Sequence, residues 1–293
     1  MTTKNKRKIA TTLAIAMAIA VTSSTVYMPV LAERDGQVAT YCAEFYGDPS
    51  YDSSGGGIDV TYSIYYDERV LVDEAYIFSA PSYGNTNSAI YNACAVITGA
   101  NIIAYYDRWC TNLIPNFEPG LTVPIGYQYW PDLSEQESED MKYDLYLLMN
   151  TNVGHIGTTS ADFRNGLDAY CANAGYDFTY YSMHQNSATV NLSTLKTALQ
   201  QGKVGVVMCS KYNYITSIQP QPEGYDYIPK WNNDAGHMMM VYGYQTYEYY
   251  TDGVKTATKT FLEVSSGYSS GDSGYMELND YCDIDEAYIL NVS

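Results

Sequence analysis

Apolar and polar positions follow a helical period in the first half of the chain and an alternating one in the second. From Cys94 to Trp109, Ala95, Ile97, Ile102, Ile103 and Tyr106 recur at helical spacing without a proline, which predicts a buried helix. Pro115, Pro119 and Pro124 then enforce a loop. Ser134-Glu135-Gln136-Glu137 reads as a capping box ahead of Met141, Leu145, Leu148 and Met149, and Thr159-Ser160-Ala161-Asp162 plays the same part ahead of Phe163, Leu167, Ala169 and Tyr170. A further helix is expected from about Leu192 to Gln201, stopping at Gly202 before the apolar run Val204–Met208. Beyond it His237–Tyr244, Thr258–Ser265 and Ala287–Val292 read as strands, with a hairpin turn at Thr251-Asp252-Gly253 between the first two. Residues 33–80, rich in Tyr, Gly, Ser and Asp, read as a few short strands or an extended lead-in. Helices first and antiparallel strands later predict an α+β fold.

The N-terminus changes the compartment. Lys4, Lys6, Arg7 and Lys8 precede the apolar run Ile9–Val21, and small residues follow at Val30-Leu31-Ala32, so residues 1–32 read as a secretory signal cut after Ala32. An uncleaved anchor is the competing reading, but this run is short for a hydrocarbon core of roughly 30 Å. Residues 33–74 are then a lead-in or a pro-segment, and 75–293 the main domain. The expectation is a secreted protein without stable membrane insertion after cleavage. Past Ala32 the chain carries 11 bases against 33 acids, which repels phosphate and argues against nucleic acid as a partner. The 33 tyrosines suit amphipathic strand faces built with few charges. Asp283-Ile284-Asp285-Glu286 lacks the pattern of a calcium loop and reads as solvated surface.

All six cysteines (Cys42, Cys94, Cys110, Cys171, Cys209, Cys282) follow the signal, where oxidising conditions permit disulfides. No CxxC pair occurs and His155, His184 and His237 are scattered, so no metal site is expected. Two residues stand out for chemistry. Cys94 opens the buried helix, where the positive end of the helix dipole and unpaired amides favour a thiolate and could hold an oxyanion. His237 follows Gly236 at the head of an apolar strand, a position from which imidazole can project into a cleft and take a thiol proton. Cys209 reads as an interior strand thiol, and His155 and His184 as solvent-exposed loop residues.

Asn92-Ala93-Cys94-Ala95-Val96, the helix Gly99–Tyr106, the helix and strand over Leu195–Ser210, and Gly236-His237-Met238-Met239-Met240-Val241-Tyr242-Gly243-Tyr244 together resemble the C39-like branch of the papain-like cysteine peptidases. The resemblance covers roughly residues 75–293. It implies a papain-like fold, with a central helix carrying the Cys packed on an antiparallel sheet carrying the His. It also implies peptide-bond hydrolysis through a Cys94/His237 dyad and a thioester, acting on a peptide or protein substrate without cofactor or metal. That family places a Gln before the Cys for the oxyanion; here the nearest amides are Asn87, the preferred candidate, and Asn85. Its His-orienting Asp or Asn is replaced by the serines Ser265 and Ser266, with Asp234 as a nearby acid that could contribute. The rivals are a non-catalytic papain-like shell for binding or adhesion, and a thiol amidase or acyltransferase acting on cell-wall peptide.

Overall fold

The helix that opens at Cys94 carries apolar residues on every side, with Thr98 and Asn101 as its polar exceptions, and a helix of that kind belongs in the interior. In the computed structural model, which describes residues 58–78, 80–85, 89–115, 120–122, 127–129, 136–268 and 273–293, twelve of its 13 residues are buried. Residues 1–32, expected from sequence to be a signal, the lead-in as far as residue 57 and the capping-box residue Ser134 lie outside the described residues.

In chain order the elements are β1 (Ile58–Tyr65), β2 (Glu68–Tyr76), α1 (Cys94–Tyr106), β3 (Gly120–Thr122), β4 (Tyr127–Tyr129), α2 (Gln136–Leu148), α3 (Ser160–Asn173), β5 (Phe178–Ser182), β6 (His184–Asn186), β7 (Thr189–Val190), α4 (Leu192–Gln200), β8 (Val204–Ile215), β9 (Gln219–Gln221), β10 (Tyr225–Asn233), β11 (His237–Thr251), β12 (Val254–Ser265), β13 (Ser273–Glu277) and β14 (Asp283–Val292). This is an α+β arrangement, helices packed on a mostly antiparallel sheet. Residues 58–74, read from sequence as lead-in, are part of that sheet: β1 pairs with β10 and β2 with β11. The hairpin between β11 and β12 turns at Asp252 and Gly253, both at positive φ (51° and 72°), as a two-residue turn of the type suited to strand twist requires.

The long strand β11 organises the centre. Its first residues, His237–Val241, pair with β8, and from Gly243 onward β2 takes over that edge. On the other edge β12 runs alongside only as far back as Met240, which faces Ser265. At the head of the strand α1 supplies partners instead: the Thr98 hydroxyl donates to the Met238 carbonyl at 2.9 Å. The contacts of β8 with β11 and β13, and of β12 with the same two strands, close these four strands on themselves.

Around α1, Ile97, Ile102 and Ile103 are almost completely buried, each stabilising the fold by about 1.5–3 kcal/mol relative to exposure. Gly99 lets α2 approach, because a Cβ there would stand 2.7 Å from the Met149 methyl. The polar residues on this buried helix are satisfied. Asn101 accepts from the Tyr83 amide (2.6 Å) and donates to the Tyr83 carbonyl (3.2 Å), laying the segment before the Cys94 turn along the helix. Thr159 caps α3 as its sequence predicts, accepting from the Asp162 amide at 3.1 Å, and Asn191 caps α4 in the same way. Among the described residues Cys94, Cys110, Cys171, Cys209 and Cys282 are free thiols, and no helix is long and apolar enough to cross a membrane.

Candidate active site

Cys94 is the first residue of α1, and the helix start has no side-chain cap: Ala93 precedes it and no acid stands in the first turn. Cys94 is partly exposed as a residue, but its sulfur lies in the interior, where the backbone amides of Met238, Ala95 and Cys94 itself hydrogen-bond it. Burial pushes the thiol pKa up, and these amides, which pull it down, do not fully offset that. The thiolate expected from a helix N-terminus is therefore not the resting form, because loss of water outweighs the backbone dipoles.

Met238 joins the two halves of the site. Its amide faces the Cys94 sulfur, its carbonyl takes the Thr98 hydroxyl one helical turn along, and the residue before it is His237. The His237 imidazole is stacked between two tyrosine rings, Tyr268 (centroids 4.6 Å apart, planes 9°) and Tyr212 (5.0 Å, 22°). Trp231 meets both tyrosines edge-on. The His237 Nε2 lies 2.8 Å from the main-chain carbonyl of Ser266. A carbonyl only accepts, so Nε2 carries the proton and, in the neutral ring, Nδ1 is the basic nitrogen. Burial lowers the His237 pKa to about 4, and the Ser266 carbonyl, which favours the charged ring, offsets this only in part. Both reactive groups accordingly rest uncharged at neutral pH.

The orienting group differs from the one expected. The Ser265 hydroxyl is buried and donates to the Pro81 carbonyl at 2.7 Å, and the Ser266 hydroxyl accepts from the Tyr268 amide at 3.2 Å. The Ser266 backbone, not either hydroxyl, meets the imidazole. Asp234 is turned elsewhere, accepting from the Tyr281 hydroxyl (2.7 Å) with Lys211 at 3.8 Å. Asn87, the oxyanion candidate, lies outside the described residues, and Asn85 donates to the Ile90 carbonyl at 3.2 Å.

Cys209 is the cross-strand neighbour of His237 on β8, yet it is buried and burial drives its pKa well up, the state of an inert core thiol. His184 is on the short strand β6 rather than in a loop, 3.0 Å from the Ile284 carbonyl, and His155 is 3.9 Å from Asp162. Neither belongs to the group around Cys94. A cavity of about 250 Å³ lined by residues 216–218, Tyr242 and residues 273–275 shares no residue with it either. Among the described residues no three His, Cys, Asp or Glu side chains gather as a metal would require. Sequence reasoning missed the Met238 amide, the Tyr212 and Tyr268 rings and the Ser266 carbonyl. No protein-family model matches the chain, and no curated protein does.

Proposed function

We propose that this chain is an exported cysteine peptidase of papain-like fold, with Cys94 as nucleophile and His237 as general base and then general acid. The observation that carries the reading is the meeting of an uncapped helix start bearing Cys94 with Met238, the residue after a histidine whose Nε2 proton is fixed on a carbonyl. Because the pair rests neutral, the sulfur transfers its proton to Nδ1 as it attacks the peptide carbonyl carbon. A carbon–sulfur bond forms and the carbonyl electrons move to oxygen, where the amides at the start of α1 would stabilise them. Collapse breaks the carbon–nitrogen bond, the amine leaves with the proton held by His237, and water hydrolyses the thioester by the same path in reverse. A positioned base of this kind contributes about 10²–10⁴ in rate.

The test is the alkylation rate of Cys94 by iodoacetamide against pH, in the native chain and in His237→Ala, with Cys94→Ala as the background. The expected result is a loss of about tenfold at neutral pH in His237→Ala, accompanied by loss of peptide hydrolysis. Equal rates in the two proteins would sink the reading. They would leave a papain-like binding shell without chemistry, which the uncharged resting state of both groups favours. The amidase or acyltransferase reading keeps the same dyad and is separated by supplying an amine acceptor and following its incorporation.

A further inference from the structure

The loop after α2 reaches back to the turn that presents Cys94. Asn152 spends its whole side-chain amide there. Its Nδ2 donates to the Tyr91 carbonyl (2.9 Å) and to the Tyr146 hydroxyl (2.9 Å), and its Oδ1 accepts from Asn92 Nδ2 (3.1 Å) and from the Gly157 amide (2.9 Å). A carboxamide has two N–H donors and two acceptor lone pairs, and all four are used. An asparagine that merely closed its own loop would need the Gly157 contact, which its main chain already doubles by donating to the Gly157 carbonyl at 2.8 Å. Three of the four side-chain bonds instead leave the loop, for α2 and for the two residues before Ala93 and Cys94.

The flanks of that turn are held by burial of Ile90 and Ala93 and by the Tyr91 ring against that of Tyr146 (centroids 6.3 Å apart), while Asn152 grips its polar groups. Asn92 sits in the left-handed region at φ 51°, which asparagine adopts more readily than most non-glycine residues and which the contacts from Asn152 help to hold. No side chain caps α1. Asn85 holds Ile90, one residue further back. Asn152 itself is left-handed at φ 64°, a conformation asparagine tolerates better than most residues.

We propose that Asn152 is a positioning residue: by gripping Tyr91 and Asn92 from a separate loop, it sets the direction in which α1 presents the Cys94 sulfur. This rests on Cys94 being the nucleophile. A displacement of about 1 Å in a reacting atom can cost on the order of 10² in rate, so a tether two residues from the sulfur has leverage on catalysis without touching substrate.

Two variants separate positioning from folding. Asn152→Gly removes the amide while accommodating the left-handed backbone, and Asn152→Asp keeps the acceptors while losing both donors. Thiols are mapped residue by residue after iodoacetamide treatment over a range of pH, with the buried Cys110, Cys171, Cys209 and Cys282 reporting any general loosening. In Asn152→Gly the Cys94 alkylation profile is expected to shift along the pH axis relative to the native chain, with the four buried thiols still protected. On a peptide substrate kcat falls at least about tenfold while KM stays within about threefold, and Asn152→Asp recovers part of the loss. A Cys94 profile superimposable on that of the native chain overturns the proposal, as does a shift that appears only together with reaction of the buried thiols. The alkylation comparison needs neither a substrate nor His237. If the native chain hydrolyses no peptide and His237→Ala leaves Cys94 unchanged, the peptidase reading fails and takes the positioning role with it, whereas a failure confined to Asn152 leaves native hydrolysis and the His237→Ala effect intact and only the Asn152→Gly profile unmoved.

Discussion

Two parts of the sheet bury ionisable groups, and they treat them in opposite ways. Glu277, on β13, is 1% exposed, and burial alone would raise its pKa. Lys259 at 2.6 Å, Lys230 at 3.3 Å and the Tyr62 hydroxyl at 2.8 Å outweigh that and hold the carboxylate below its ordinary range. Asp226, fully buried on β10, takes Arg69 Nη1 on both oxygens and the hydroxyls of Tyr66 and Tyr249. At Cys94 and His237 burial has no such counterweight: no oppositely charged side chain contributes to either shift, and both move toward the neutral form. In this fold a buried charge persists where cations and hydroxyls were built around it. The candidate site has amides and a carbonyl instead, groups that can stabilise a charge while it is being transferred without holding one at rest.

The largest effect that this contrast predicts is at Glu277. Glu277→Ala leaves two lysines facing a site shaped for a carboxylate, and removing one partner of a buried ion pair costs about 3–5 kcal/mol. Urea unfolding would measure it. A loss under about 1 kcal/mol would reduce the network to the standing of a surface pair and erase the contrast.

Acid titration separates the two regions along one axis. The folded pKa of His237, about 4, lies below its ordinary 6.5, so over that interval the unfolded chain binds the extra proton. The stability contributed by neutral His237 is complete above pH 6.5 and is lost as pH falls toward 4, by up to about 3 kcal/mol. Glu277 is also lowered, from 4.5, so its contribution is present above that value and is lost at lower pH, as the folded-state carboxylate protonates. His237→Phe, which keeps a ring between Tyr212 and Tyr268, should flatten the arm between pH 6.5 and 4 and spare the more acidic one. Glu277→Gln should do the reverse. A His237→Phe protein whose stability falls as steeply as the native chain between pH 6.5 and 4 would mean that the imidazole is not desolvated.

The two ends of the site were legible for different reasons. The period of Ala95, Ile97, Ile102 and Ile103 marked a buried helix with Cys94 at its start, and the apolar run behind Gly236-His237 marked a strand head. Both signals are local. What completes the site is not local, or is not spelled in side chains. The Ser266 carbonyl and the Met238 amide belong to the main chain, which every sequence shares. Tyr212 reaches His237 from β8 and Tyr268 from the connection that follows β12, and in a chain with 33 tyrosines no spacing singles out those two. Asn152 acts on Asn92 from 60 residues away, and in sequence it is one of several polar residues in a turn. The expectation of a resting thiolate went wrong at the same boundary: position on a helix can be read from sequence, but the amount of water left around the sulfur cannot.

The smallest predicted effect is also the sharpest test of which atom orients the imidazole. Two serines stand where a carboxylate or an amide was sought, and a hydroxyl reading makes Ser266→Ala damaging. Alanine keeps the main-chain carbonyl that accepts from Nε2 at 2.8 Å, and the substitution removes the hydroxyl that accepts from the Tyr268 amide at 3.2 Å. Losing that buried hydroxyl takes an acceptor from the Tyr268 amide and should cost on the order of 1–2 kcal/mol in urea unfolding. Alkylation of Cys94 should stay within about twofold of the native rate across the pH range, since neither the tautomer of His237 nor the basicity of Nδ1 depends on the hydroxyl. A drop of about tenfold in Ser266→Ala, with stability lowered no further than this, would return the orienting role to the side chain. The site would then hold a polar group that favours the charged imidazolium more than a main-chain carbonyl alone, and the contrast with Glu277 would narrow from the histidine side.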